Sequence, residues 1–594
     1  MTRFPDAKRS RDLGKGRRGD RADRVGFNAN PLLTVALPAW RSKLMLFLLF
    51  VSFLALAGRS FYLMGGVSTG FLQRQGEARY ARTLEIPATR GRITDRNGVV
   101  LASSVPARAI WAIPEDVDAR PEQLSALARL LQVNVSELKR RLGDDRTFVY
   151  LRRQVDADIA ERIAALKLAG IHSTGEFKRH YPEGAAHAHV IGFTNVEDRG
   201  QEGIELAHER LLAGRAGSRR VIKDRLGRVV EDDWLREPLN GKDLALSIDN
   251  RIQYIAHAAL KAALDKSRAK AGAAIVFDVK TGEILALANL PSFDPNHRGR
   301  LAGDAIRNRV LTDIFEPGST MKPFSVAAAL EAGKVKVDTR IQTAPGRLTI
   351  GNRTIGDAHA HGMLTVEEIV AKSSNVGTAK IALDLPAQTL WEAYAAAGFG
   401  QAPRLDFPGA VAGRLRPAKT WRPIEQATIS YGHGVSVTLI QLARAYSVFA
   451  NDGWLVPLTL VKADDTAMPV RAMSAETAQA MRKMLEMAVG PEGTAPLARI
   501  PAYRVAGKTG TAYKIQNGQY VKEYVASFVG FAPVSDPRIV VAVMIDEPAG
   551  QHYGGQVAAP VFAAITASAL RTLQVTPDAP LEPTREMIAL RRTP

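Results

Sequence analysis

One apolar run stands out along the chain: LMLFLLFVSFLALAG, Leu44 to Gly58, followed by Arg59 and the uncharged SFYLMGG. Fifteen residues are short for a bilayer span and match a signal-peptide core, with Ala55-Leu56-Ala57 resembling a cleavage site. The preceding arm, however, is very long for a signal n-region. Reading on to Met64 reaches the length a bilayer needs, with Arg59 snorkelling to the interface. The pattern favours an uncleaved transmembrane anchor over residues 44–64.

Beyond the anchor the periodicity changes repeatedly. EIPATRGRITDRNGVVLASS, Glu85 to Ser104, predicts a hairpin turning at Asn97-Gly98. EQLSALARLLQVNVSELKRRLG has helical spacing in two pieces with a break near Val133 to Val135, which makes Ser136 a cap and Lys139 part of a solvated face. Short strands and turns are expected to about Trp234, with one glycine-closed helix in GIELAHERLLAG. A second unit opens near residue 236. Asp249 is placed to cap a long helix, and AAIVFDV and EILALAN read as strands joined at Lys280-Thr281-Gly282. An all-helical middle follows, then the strand pair SFVGFAPV and RIVVAVMIDEP, then an apolar helix from Val557 to Leu573. This order predicts an α/β (α+β) protein, an antiparallel sheet packed by helices. The expected organisation is a basic arm (1–43), the anchor (44–64), a β-rich region (65–235), a second unit of sheet and helices (236–575) and a loose tail (576–594).

Charge and composition narrow the picture. The 594-residue chain carries a formal +19, and its first 43 residues hold eleven Lys/Arg against four Asp/Glu. Such an arm reads as disordered and as a determinant of topology: it stays in the cytoplasm, and the remainder lies outside the inner membrane. No zinc-finger spacing or aromatic-basic RNA motif accompanies the charge, so nucleic acid is not an expected partner. The chain has no cysteine, which excludes disulfides, thiol catalysis and Cys-ligated metals. His187-x-His189 and His359-x-His361 lack carboxylates at ligand spacing, so neither metal nor cofactor is expected. Gly507-Lys508-Thr509 is not a phosphate loop, because position 502 is alanine where that motif needs glycine.

Candidate chemistry lies in EPGSTMKPF, where Ser319 precedes Lys322 by three residues at the start of a predicted helix. The same spacing at Ser136 and Ser267 shows that the pair alone is weak. Two further elements give it weight: KSSNVG, with Ser373 and Asn375, and GKTGTA, with Lys508, Thr509, Gly510 and Thr511. The order Ser-x-x-Lys, Ser-x-Asn, Lys-Thr-Gly, with gaps of 54 and 135 residues, is far more specific than any piece. A serine hydroxyl needs a base. Lys322 can serve only if neutral, which requires burial or a nearby cation such as Lys508. Ser373 can relay a proton, and Asn375 can orient Lys322 and a substrate amide. Gly510 lets the strand backbone approach a substrate. The Ser319 and Thr511 N–H groups can form an oxyanion hole, and the Thr509 and Thr511 hydroxyls can hold a carboxylate. Gly432-His433-Gly434 is expected as a tight turn lining the cleft.

This three-motif set resembles the penicillin-binding proteins and class A β-lactamases. With RGRITDRNG, HVIGFTN, LANLPSFDPN and YGGQVAAPVF, the chain is similar to the division-type class B penicillin-binding proteins (FtsI-like) from the anchor to about Leu573. The resemblance implies an elongated β-rich pedestal domain before a penicillin-binding/β-lactamase-like transpeptidase domain. It implies a serine D-Ala-D-Ala transpeptidase that crosslinks peptidoglycan stem peptides at the septum and is inhibited by β-lactams. It also maps the nucleophile to Ser319, the base to Lys322, the relay to Ser373 and Asn375, and the carboxylate-binding strand to Lys508 through Thr511. A membrane glycosyltransferase (FtsW-like) and other divisome proteins are the implied partners. Ser374 stands where class A β-lactamases have Asp. A hydrolase on the same fold (a D,D-carboxypeptidase or β-lactamase) and a catalytically silent divisome scaffold are the alternatives.

Overall fold

The computed structural model describes residues 38–64, 81–143, 146–223, 229–297, 303–462 and 468–580. The basic arm before residue 38 and the tail beyond 580 lie outside the described residues. The chain divides into residues 1–84 with 220–233, and residues 85–219 with 234–594.

In the first unit, helix α1 (Ala39–Met64) begins five residues before the apolar run and takes in Arg41 and Lys43. Its 26 residues reach about 39 Å at 1.5 Å per residue, enough to cross a hydrocarbon core of about 30 Å. The Arg59 guanidinium lies 5.8 Å from the centre of the Tyr62 ring, one turn on.

In the second unit, β1 (Ile93–Thr94) turns through Asn97-Gly98 into the 13-residue β2 (Val100–Ala112). Gly98 takes φ +87°, and the Asp95 carboxylate accepts the Asn97 and Val99 N–H groups at 2.8 Å. The hairpin is shorter than expected, because β1 supplies only two residues. Helices α2 (Pro121–Leu131) and α3 (Val135–Leu142) flank the predicted break, where Gln132 turns left-handed. Asn134, not Ser136, occupies the N-cap position of α3. Strands β3 (Val149–Asp156) and β4 (Ile171–His180) pair antiparallel on either side of β2. Between them lies α4 (Ala157–Ala164), so this region is not only strands and turns. GIELAHERLLAG breaks into two short helices at His208. Ile110, Ala112, Leu151 and Val155 bury one face of the sheet against Leu127, Leu131 and Leu138.

The RGRITDRNG segment works as a buried junction. Arg90 and Arg179 both hold the Glu205 carboxylate at 2.6 Å, with all three side chains at most 1% exposed. Further along, Asn97 donates to Asp249 at 3.0 Å, Asp95 accepts the Asn250 N–H, and Arg96 pairs with Glu283. The hairpin is thereby tied to the segment that begins near Asp249.

Asp249 caps α5 (Asn250–Ser267) through the Arg251 and Ile252 N–H groups. Strands β5 (Ala271–Asp278) and β6 (Ile284–Leu290) join three strands from the C-terminal part: β7 (Ala506–Gln516), β8 (Gln519–Ala532) and β9 (Ile539–Asp546). The antiparallel order is β6-β5-β9-β8-β7, which leaves β7 paired on one side only. Alternation divides the strands between two cores. Ile275, Phe277, Val540 and Ala542 join the central helices, while Val276, Val541 and Val543 pack with α5 and α6 (Ala559–Thr572). With both faces covered, β5 and β9 are buried at every position and read as continuous apolar runs. The middle is not all helical: four short strands between Arg340 and Thr365 form two small ladders.

Candidate active site

Ser319 stands on a single 3-10 turn, Gly318–Met321, that feeds directly into the helix Lys322–Glu331. That helix is buried from Lys322 through Ala329, so it is a core element rather than an amphipathic one. Two close approaches fix the turn. A Cβ on Gly432 would stand 2.1 Å from the Gly318 carbonyl oxygen, and one on Gly510 would stand 2.6 Å from that of Pro317. Gly510 therefore admits the Ser319 turn against β7. The turn at Gly432 to Gly434 lines this place as predicted, with both glycines at positive φ.

The second element is the helix Val366–Lys372, started by the capping box of Thr365 and Glu368. It ends at Ser373, held in the left-handed region at φ 62°. A non-glycine residue there costs about 1–2 kcal/mol. The cost aims the Ser373 hydroxyl at two lysines: Lys322 Nζ and Lys508 Nζ each lie 3.0 Å from Ser373 Oγ, and Lys322 Nζ also donates to the Ser373 carbonyl. Both lysines are 0% exposed. Burial, and then the charge of Lys508, hold the Lys322 amine well below the usual lysine value, against the opposing pull of Asp357. Burial brings Lys508 down to about 7. Two buried ammonium groups on one oxygen disfavour each other, so the geometry selects a neutral Lys322. Ser319 is half-buried, and its hydroxyl makes no hydrogen bond among the described residues.

On β7, Lys508 and Gly510 face the Ser319 turn, while Thr509 and Thr511 alternate to the other side. Thr509 bonds the Thr494 hydroxyl at 3.3 Å, and Thr511 Oγ1 accepts the Gly554 N–H at 3.0 Å. Because β7 is an edge strand, its free backbone groups present a template for an extended peptide. Asn375 departs from expectation: its amide donates to the Gly356 carbonyl at 2.8 Å and makes no hydrogen bond to Lys322. It opens the helix Asn375–Leu383, capped by Ser374.

Three groups were not legible beforehand. Asp357 receives the Ser374 hydroxyl at 2.7 Å and the Asn375 and Val376 N–H groups, a carboxylate at a helix N-terminus beside the lysines. Only its flanking histidines drew notice in the sequence. Glu316, within EPGSTMKPF itself, accepts the Gly434 N–H at 2.7 Å and the Tyr520 hydroxyl at 3.1 Å, and burial pushes its carboxyl pKa up. Tyr520 thus ties the β7–β8 hairpin to the segment carrying Ser319. Thr494 had no signal at all. His433 packs against Tyr431, and burial lowers its pKa to about 4.

A half-buried serine on a tight turn, a buried amine pair bridged by a second serine, and an open strand edge thus meet in one place. Residues 272–567 match the family described as the penicillin-binding protein transpeptidase domain, and residues 85–246 match the penicillin-binding protein dimerisation domain. The chain is 43% identical over 549 residues to the probable peptidoglycan D,D-transpeptidase PenA of Neisseria gonorrhoeae, covering 91% of this chain and 94% of that one. It is 40% identical over 550 residues to the peptidoglycan D,D-transpeptidase FtsI of Escherichia coli, covering 91% and 93%. Among solved structures, the transpeptidase domain of Burkholderia pseudomallei penicillin-binding protein 3 aligns with a TM-score of 0.52 at 52% identity, over 56% of this chain and 98% of that one. A peptidoglycan synthetase of Bifidobacterium adolescentis aligns over 84% and 98%, with a TM-score of 0.67 at 26% identity. The chain belongs to the penicillin-binding peptidoglycan D,D-transpeptidases of the FtsI and PenA type.

Proposed function

We propose that this chain is a single-pass inner-membrane transpeptidase that crosslinks peptidoglycan stem peptides at the division septum. Its basic N-terminal arm stays in the cytoplasm by the positive-inside tendency, and its catalytic region faces the periplasm. The observation that carries the reading is the buried Lys322, bridged through Ser373 Oγ to Lys508 and one turn from Ser319.

In this reading Lys322 takes the Ser319 proton, and Ser319 Oγ attacks the carbonyl between two terminal D-alanines. The Ser319 and Thr511 N–H groups receive the oxyanion. Ser373 passes a proton to the leaving amine, the last D-alanine departs, and an ester remains on Ser319. An amine of a neighbouring stem then attacks that ester, returning the proton by the same route and freeing Ser319 Oγ. The substrate lies along the free edge of β7, its carboxylate held by charged Lys508 with the Thr509 and Thr511 hydroxyls. Asn375 turns from Gly356 to the substrate amide when the cleft fills. A β-lactam imitates the D-Ala-D-Ala end and stays as a slow ester. An FtsW-like glycosyltransferase and other divisome proteins are the partners this role implies.

Intact mass after incubation with a penicillin tests the reading. A lasting adduct of one drug mass is expected on the wild type and none on Ser319→Ala. Rapid destruction of the drug without an adduct would make the protein a hydrolase. An intact drug without an adduct would favour a silent scaffold.

A further inference from the structure

The sheet in residues 85–246 has two unlike faces. One is buried against α2, α3 and α4 through Ile110, Ala112 and Leu151. The other would ordinarily be polar. Instead it carries a row of rings across three strands. Trp111 on β2 stands opposite Tyr150 on β3 and opposite His172 on β4. Phe148, two residues before Tyr150, extends the row. Trp111 lies 5.0 Å from Phe148 and 4.5 Å from His172, centre to centre, and Phe148 lies 4.7 Å from Tyr150. The Trp111 indole N–H is fixed by the Thr174 hydroxyl at 2.9 Å. Yet Phe148 is 42% and Tyr150 45% exposed.

An ordered aromatic row left open to solvent marks a binding surface rather than a core. Next to it is a cavity of about 400 Å³ lined by Arg140, Arg141, Arg146, Glu137, Val149 and Tyr150. Among the described residues its charged lining is three arginines and one glutamate. Glu137 bonds both Arg140 and Arg141, and Arg141 also donates to the Leu151 carbonyl, which fixes the pocket wall to β3.

We propose that this face binds a peptidoglycan glycan strand: the rings stack on the flat apolar faces of the sugars, and the arginines receive the carboxylates that the strand carries. The choice of occupant rests on charge complementarity and on the transpeptidase reading above. Ring faces suit pyranoses because both are flat and partly apolar, and the basic pocket stands at the end of the row where an acidic substituent falls. An acidic segment of a partner protein is the competing occupant.

The test uses the full-length protein in detergent micelles, its nucleophile first blocked with a penicillin so that the active site contributes nothing. Binding to intact purified sacculi is measured by co-sedimentation, and binding to the soluble glycan strands that an amidase frees of stem peptides is measured by fluorescence anisotropy of labelled strands. The double variant Phe148→Ser, Tyr150→Ser is expected to weaken binding about tenfold or more on both, while Tyr150→Phe keeps wild-type binding. Arg140→Gln with Arg146→Gln is expected to weaken binding to intact sacculi and to flatten its salt dependence. Wild-type binding by the ring variant, or no sacculus binding by the blocked wild type, overturns the proposal. Loss of a co-purifying protein from the ring variant with sacculus binding unchanged also overturns it, in favour of the protein partner. The rate of penicillin acylation, read on the same variants before blocking, stays unchanged if they are folded. If the wild type itself forms no adduct, the transpeptidase reading fails separately.

Discussion

Two regions of this protein bury cations equally deeply and do opposite things with them. At the junction, Arg90 and Arg179 share the Glu205 carboxylate. In the active site, Lys322 and Lys508 share only the Ser373 hydroxyl. Burial alone drives the Arg90 pKa down, but the Glu205 charge and hydrogen bonds to Glu209 and Glu205 more than reverse it, leaving it above the usual value. No carboxylate bonds Lys322 or Lys508, so burial prevails and both amines fall. A paired buried charge makes a fixed scaffold. An unpaired one makes a base. Residue type follows the same logic, since arginine never releases its proton and lysine does when desolvated.

The largest test of this contrast puts the scaffold's residue into the site. Lys322→Arg is expected to slow penicillin acylation by about 10²–10⁴-fold, because a guanidinium cannot act as a base. Intact-mass kinetics read the loss, and a thermal melt reports whether the protein stays folded.

The converse change belongs at the junction. Glu205→Gln leaves the buried Arg179 guanidinium without a carboxylate and Arg90 with Glu209 alone, and is expected to cost about 3–5 kcal/mol in denaturant unfolding, with acylation by the folded protein unaltered.

Two smaller effects separate the contributions to Lys322. Acylation should be bell-shaped with pH, rising as Lys322 loses its proton and falling above about pH 7 as Lys508 loses its own. Lys508→Met removes a like charge, so Lys322 holds its proton more tightly and the rising limb moves to higher pH. Asp357→Asn removes an opposing charge, so that limb moves to lower pH, with about 1 kcal/mol of helix-cap stability lost. Shifts of the same sign in both variants would break the comparison.

Much of this architecture was legible. Four of the five sheet strands, the Asp249 cap, the capping box at Thr365 and the break near Val133 follow from local periodicity and short-range hydrogen bonds, while β7 was placed through the family resemblance. What escaped were features whose cause is distant. The short ladders between Arg340 and Thr365 carry weak alternation and hold only through their pairing. Asp357 lies 17 residues before Ser374 and 35 after Lys322 in a segment without regular period, so only the fold sets it beside them. Glu316 was in plain view, but its partner Tyr520 is 204 residues away.

The sequence by itself determined which groups were available: a serine and a lysine one turn apart, a second serine, a lysine on a strand, a basic arm before an apolar helix, and no cysteine. Those follow from covalent order and local geometry. Only the tertiary structure decided what they can do. It set Ser373 in a left-handed conformation, removed both lysines from water, put a carboxylate at Arg90 and none on the two amines, and left one sheet edge open. A proton's affinity depends on solvation and neighbouring charge. Both are properties of a place in space that the chain creates only when it folds.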